Sequence, residues 1–283
     1  MIWPWQDRKH GFSWLKAGTF SLMFLPAIWL IYQFGTEQFG PVPLGGMTYW
    51  SGLWATAILL LALAITPALT IFRWRQLIIV RRMIGVTALA YTIAHIIIYF
   101  ALRLWDFGFI AREMVSRLSL IVATVSTIGL IALGATSLDA AIRRMGAEGW
   151  NRLHNTVYVI TALALLHYLL SPGIFSEQFL MSGMFVWLMV WRVLYRRGLG
   201  ADARALAMLA VASCFFTVFF EAGWVWAYHG YKPSGTLRNN FTLDLGLAPA
   251  WQILALGLLI AGAAFVQQAL RRRAVGVDVR KIG

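Results

Sequence analysis

The sequence predicts an all-α integral membrane protein with about eight transmembrane helices. Of its 283 residues, 60% are hydrophobic and only 12% are charged, and the mean hydropathy is +0.71. A soluble domain carries roughly 25% charged residues, so this composition excludes an ordinary soluble globular protein. The apolar residues are grouped in stretches of about 20, which is the length needed to cross a bilayer.

Eight such stretches follow one another along the chain. The first comes after a charged, tryptophan-rich N-terminal segment and has no clear cleavage site behind it, so we interpret it as a retained helix rather than a signal peptide. None of the interruptions is long enough to fold as a soluble domain. The approximate spans are 17–34, 49–71, 83–104, 117–137, 154–171, 179–197, 205–228 and 249–270.

The basic residues predict the orientation of these spans. The formal net charge is +13, but Lys and Arg occur in short clusters between the apolar stretches, as orientation signals do. Most of them fall on one side, so we expect both termini to be cytoplasmic, in a bacterial inner membrane, and we expect no nucleic-acid partner. The opposite side receives only Arg103, Arg112, Arg117, Lys232 and Arg238.

Two histidines lie well inside apolar spans, where an ionisable side chain indicates a functional site. His95 in the third span and His167 in the fifth follow the basic residues Arg82 and Arg152 at similar separations, and both spans run outward. At about 1.5 Å rise per residue, both imidazoles are expected about 20 Å from the inner face. Matched depth on two parallel helices is what axial ligation of one haem iron by two histidines requires.

The residues preceding His95 are consistent with such a site. Gly85, Ala88 and Thr92 share one helix face with His95 and form a stripe of small residues, which would leave room for a flat macrocycle. The alternative explanation is close packing of membrane helices, because small residues also serve that purpose. Histidines that only form hydrogen bonds within a helix bundle are the matching alternative to haem ligands.

His154 is the third histidine of interest, and its role stays open. It precedes His167 in the same span, but on a straight helix the two rings would lie roughly 140° apart. A second haem stacked below the first would need a partner near Arg81, and arginine stays protonated and cannot serve as a normal axial ligand. His154 is therefore a candidate ligand of a second haem, a contact for a haem propionate or a flavin phosphate, or a cap of the fifth helix.

Several segments resemble the MsrQ family, formerly called YedZ. They are RRMIG and AYTIAHIIIYF in the third span, RLHNTVYVITALALLHY in the fifth, LALAITPAL at the end of the second and LGATS at the end of the fourth. The resemblance covers about residues 46–197. MsrQ proteins are haem-binding membrane subunits of the periplasmic methionine sulfoxide reductase system, within the ferric-reductase-like transmembrane superfamily.

This resemblance implies a six-helix haem-binding bundle over residues 1–202 with b-type haem, and His95, His154 and His167 stand at the family's three histidine positions. It implies electrons from a quinol or a cytoplasmic flavin reductase, with FMN as a possible cofactor. The acceptor would be MsrP, a periplasmic molybdopterin protein that repairs oxidised methionines. The chain would then be an electron-transfer subunit rather than the catalytic one.

The tail departs from the family pattern. Residues 203–283 add two predicted helices and a basic cytoplasmic end, and the chain contains no dinucleotide-binding GxGxxG fingerprint. Two other functions remain as alternatives. One is a ferric-reductase-like electron carrier for a different acceptor, and the other is a haem-free transporter or structural membrane protein.

Overall fold

The computed structural model describes residues 5–7, 11–242 and 246–279, with 7 and 271–279 described as backbone only. The fold is all-α, as predicted, apart from a short antiparallel pair of strands, β1 (Gln6–Asp7) and β2 (Gly11–Phe12). Part of the predicted basic tail, Arg280 and Lys281, lies outside the described residues. The helices are α1 (Trp14–Leu22), α2 (Leu25–Gly35), α3 (Pro43–Ile71), α4 (Ile78–Leu102), α5 (Phe107–Ser116), α6 (Leu118–Ala135), α7 (Asp139–Asn155), α8 (Val157–Leu169), α9 (Ser176–Arg196), α10 (Ala203–His229), α11 (Pro233–Asn239) and α12 (Pro249–Val279).

Within the described part of the chain, seven helical segments are long and apolar enough to cross a membrane. The predicted count of eight is therefore not confirmed. The difference lies in the predicted span 154–171, where α8 has only 13 residues. At about 1.5 Å per residue, such a helix covers about 20 Å of a hydrocarbon core about 30 Å thick. The seven segments are Trp14–Gly35, Pro43–Ile71, Arg75–Leu102, Leu118–Ala135, Ser176–Arg196, Ala203–His229 and Pro249–Leu270.

The first of these segments is broken between α1 and α2, and a tyrosine closes the break. The Tyr91 hydroxyl donates to the Met23 carbonyl at 2.7 Å and accepts from the Ala27 N–H at 2.9 Å. These two backbone groups would bond to each other in a continuous helix, so the hydroxyl is inserted into the i to i−4 ladder. Both groups are thereby satisfied in a segment where water cannot reach them.

The chain divides into two compact units, and α3 belongs to both. The first unit contains Met1–Ala62 and Gln76–Pro172, and the second contains Leu63–Arg75 and Gly173–Gly283. Packing thus groups α9 with the C-terminal helices. The family resemblance suggested a different division, a six-helix core over 1–202 and an extension over 203–283, and that division remains a prediction.

In the first unit, α6 and α8 pack closely because small residues line their contact. A Cβ atom added at Gly129 on α6 would lie 2.8 Å from the Cδ1 atom of Ile160 on α8. The Ser126 hydroxyl donates to the Ile160 carbonyl at 3.0 Å in the buried contact. Small residues and hydroxyl groups are the usual means by which membrane helices approach one another. This contact fixes the helix that carries His167.

In the second unit, an arginine compensates for a proline in α3. Pro67 has no N–H, so the Leu63 carbonyl loses its helical donor. The Arg192 guanidinium on α9 supplies one instead, with Nη2 3.0 Å from the Leu63 oxygen. An unpaired buried carbonyl would cost about 1–3 kcal/mol, and in a membrane segment water is not at hand to replace the donor.

Candidate functional site

The first unit brings His95 and His167 together. Their ring centroids lie 6.5 Å apart and their planes are inclined by 69°. His95 lies on α4 and His167 near the end of α8, so two residues distant in sequence meet between helices. The sequence predicted that both imidazoles lie at one depth, and their juxtaposition agrees with it. Their role as ligands stays a prediction.

The hydrogen bonds of the two rings define their tautomers. His95 Nδ1 lies 2.9 Å from the Thr48 carbonyl oxygen on α3, and His167 Nδ1 lies 2.9 Å from the Ser119 carbonyl oxygen on α6. A carbonyl only accepts, so each Nδ1 carries the proton and donates. A neutral imidazole with a protonated Nδ1 keeps a free lone pair on Nε2. Both histidines therefore have the tautomer and the backbone support of metal-ligating histidines.

The separation of the rings is compatible with a single metal between them. Two imidazoles that bind one ion from opposite sides, each through a bond of about 2 Å, have ring centres about 6 Å apart. Among the described residues, no group of three or more His, Cys, Asp or Glu side chains could hold a metal ion. A two-histidine site instead suits an iron whose other four ligands come from a macrocycle.

Gly52 on α3 makes room for the His95 ring. A Cβ atom added at Gly52 would lie 2.9 Å from Cε1 and 3.1 Å from Nδ1 of His95, closer than side chains normally approach. The neighbouring Ser51 hydroxyl lies 3.2 Å from the same Nδ1 and donates to the Thr48 carbonyl at 3.1 Å. This part of α3 thus supports the ring from one side.

Sequence reasoning did not single out these supporting residues, which are Thr48, Ser51, Gly52 and Ser119. The only sequence signal was a small pair, Ser51 and Gly52, inside an apolar span. A carbonyl acceptor leaves no signal in a sequence, because every residue has one. Which carbonyl faces an imidazole depends on how the helices pack.

The predicted stripe of small residues before His95 has mixed roles. Ala88 is completely buried and therefore acts in helix packing. The Thr92 hydroxyl donates at 2.9 Å to the Ala88 carbonyl of its own helix. A Cβ atom added at Gly85 would meet nothing within 4 Å, so open space adjoins this position. Ala88 is thus a packing position, and room for a macrocycle along this stripe stays a prediction.

His154 lies near the end of α7, apart from the pair. Its ring is stacked on Trp150, with centroids 3.9 Å apart and planes inclined by 22°. Its Nε2 lies 3.2 Å from the Thr136 hydroxyl, which donates to the Ala132 carbonyl at 2.7 Å. The ring thus connects α7 to the end of α6, and among the described residues no other imidazole is recorded against it.

The surroundings of His154 favour a neutral ring, and the break between α7 and α8 changes its expected direction relative to His167. Burial, and secondarily the positive charge of Arg81, lowers the pKa of its imidazole, so the ring is neutral at neutral pH. The expectation of a 140° angle to His167 assumed a straight helix, but α7 ends at Asn155 and α8 begins at Val157. The angle estimate therefore does not apply.

Sequence comparisons with known proteins assign this chain to a family. Residues 51–165 match the family of the ferric reductase like transmembrane component. A protein-methionine-sulfoxide reductase heme-binding subunit MsrQ from Polaromonas naphthalenivorans is 34% identical over 185 residues, which are 63% of this chain and 83% of that protein. The subunit of the same name from Cronobacter sakazakii is 33% identical over 64% of this chain and 91% of that protein. The chain belongs to the MsrQ family.

Another MsrQ relative, from Azospira oryzae, is 33% identical over 58% of this chain and 71% of that protein. The segment matching the ferric reductase family contains His95 and His154 and ends just before His167. No solved structure matches the chain. Membership in the MsrQ family agrees with the resemblance found in the sequence, and the matched share leaves more than a third of the chain outside the alignments with these three relatives.

Proposed function

We propose that this chain is a haem b electron-transfer subunit of the bacterial inner membrane. The observation that carries the proposal is the His95–His167 pair, two imidazoles 6.5 Å apart that both donate from Nδ1 to a backbone carbonyl and leave Nε2 free. The names of the relatives, heme-binding subunits, support the same cofactor.

His95 and His167 would hold the haem iron through their Nε2 atoms. A haem bound there supplies a centre that accepts and releases single electrons. The Thr48 and Ser119 carbonyls keep each ring in the ligating tautomer and prevent it from turning about its bond to the chain. The membrane helices around the pair exclude bulk water.

The proposed acceptor is a periplasmic molybdopterin methionine sulfoxide reductase of the MsrP type. The relatives are named as subunits of a protein-methionine-sulfoxide reductase, which supports this acceptor class. The proposed donor is a quinol or a cytoplasmic flavin reductase with FMN. The excess of Lys and Arg on one face supports a cytoplasmic position for that face. With the donor on the cytoplasmic side or in the membrane and the acceptor in the periplasm, electrons would move outward.

Reoxidation of the reduced protein tests this function. The purified chain, reduced with dithionite, is mixed with a periplasmic methionine sulfoxide reductase of the MsrP type and methionine sulfoxide. With the reductase in substoichiometric amount and excess dithionite removed, we expect complete decay of the reduced haem absorbance only when both are present. The reductase alone should oxidise no more haem than its own molybdenum centre can accept in electrons. Decay with ferric citrate but not with the sulfoxide system would instead favour a ferric reductase, and a colourless preparation would favour a haem-free protein.

A second haem at His154 is tested by the haem-to-protein ratio. We expect His154→Ala to retain the low-spin haem of the His95–His167 pair, because the ring of His154 contacts Trp150 and Thr136 instead. Loss of half the haem would assign His154 to a second site. An unchanged ratio would leave it as the residue that joins α7 to α6 through Trp150 and Thr136, and loss of all haem would contradict independent sites.

A further inference from the structure

A partly buried carboxylate joins the elements that hold the two histidines. Glu113 on α5 has a side chain that is 13% exposed, and it accepts the Tyr99 hydroxyl at 2.6 Å. It forms ion pairs with Arg103 at 3.0 Å and with Arg117 at 2.6 Å. Burial alone would raise the pKa of this carboxyl, but the hydrogen bonds from Tyr99 and Arg117 and the two arginine charges lower it overall.

The partners of Glu113 lead to both histidines. Tyr99 is four residues beyond His95 on α4, so it lies on the same helix face about 6 Å further along the axis. Arg117 is the N-cap of α6, two residues before Ser119, whose carbonyl accepts the His167 Nδ1–H. One side chain thus ties the helix that carries His95 to the helix end that orients His167.

The segment between α4 and α5 has a strained backbone that the contacts of Glu113 help to hold in place. Leu104 and Trp105 have φ angles of 54° and 59°, a conformation that is unfavourable for residues other than glycine. Such backbone persists only where its surroundings hold it. Arg103, directly before the strained pair, is held by Glu113, and Trp105 packs edge-on against Phe100 at 6.2 Å.

We propose that Glu113 is a positioning residue that sets the reduction potential of the haem through the orientation of His95 and His167 and through its own charge. This inference rests on the proposed function. The negative charge of Glu113 would disfavour addition of an electron to a haem held by the pair. Strong Nδ1–H donation makes an imidazole a stronger donor to ferric iron. Both effects lower the reduction potential of the haem, so removal of the Glu113 carboxylate should raise it.

Redox titration and electron paramagnetic resonance of the purified haem protein test the inference. We expect Glu113→Gln to shift the midpoint potential to more positive values and to change the g values of the low-spin ferric signal. Glu113→Asp keeps the charge but shortens the side chain, so it should change the g values with a smaller shift in potential. The second variant also decides the question if Glu113→Gln does not accumulate.

Glu148→Gln is the matched control. It makes the same chemical change in an exposed ion pair, since Glu148 lies 2.5 Å from Arg152 and both side chains are more than three-quarters exposed. It should leave both readouts as in the wild type. Wild-type potential and g values in both Glu113 variants would overturn the positioning role alone. A wild-type protein without haem would overturn the proposed function and this inference with it.

Discussion

Alanine in place of His95 or of His167 is expected to abolish the low-spin haem spectrum. Each substitution removes one of the two Nε2 ligands, and the remaining imidazole can support only a five-coordinate, high-spin iron. The haem-to-protein ratio should fall as well, because the lost ligand also contributed binding free energy. Absorption spectra of the oxidised and reduced proteins measure both effects.

The same substitution at His229 is the control for this experiment. His229 ends α10, a helix that carries neither His95 nor His167, so His229→Ala should keep the wild-type spectrum. Added imidazole should restore part of the low-spin signal in His95→Ala or His167→Ala, because it can occupy the space of the deleted ring. Unchanged Soret and α bands in either ligand variant would contradict the assignment of that histidine.

A methyl group at Gly52 is expected to weaken haem binding without weakening the helix. The new Cβ atom would lie 2.9 Å from His95 Cε1, so the ring must move and its Nδ1–H bond to the Thr48 carbonyl must lengthen. Loss of such supporting bonds lowers metal affinity about 10–100-fold, and we expect at least the lower value for Gly52→Ala. Haem titration of the apoprotein measures the affinity.

Helix propensity alone predicts that Gly52→Ala stabilises the protein, whereas haem binding should become weaker. Alanine is about 1 kcal/mol better than glycine inside a helix, so α3 itself should gain stability. Gly223→Ala is the control, since Gly223 lies within α10 and an added Cβ atom would meet nothing within 4 Å. Equal haem affinity in Gly52→Ala and Gly223→Ala would contradict a close approach of α3 to the His95 ring.

The prediction that His95 and His167 lie at one depth used only local properties of the sequence, and the 6.5 Å separation of their rings agrees with it. It follows from the rise per residue and from the basic residues that mark the inner ends of the spans. The count of membrane spans was less accessible. Residues 154–171 form an apolar stretch long enough to span, but the helix restarts after Thr156, and α8 has 13 residues. Apolar composition indicates partition into the membrane, whereas it does not indicate whether the helix is continuous along the whole stretch.

The sequence by itself therefore determined the all-α membrane class, the candidate histidines and the resemblance to the MsrQ family. Only the tertiary structure decided which carbonyls fix the imidazole tautomers, where Gly52 is required, and how Glu113 connects α4 with the start of α6. The physical reason is the range of the interactions. Hydrophobic stretches and the rise of a helix can be inferred from residues that are close together in the sequence. A hydrogen bond from Nδ1 to a backbone carbonyl nearly 50 positions away depends on how whole helices pack.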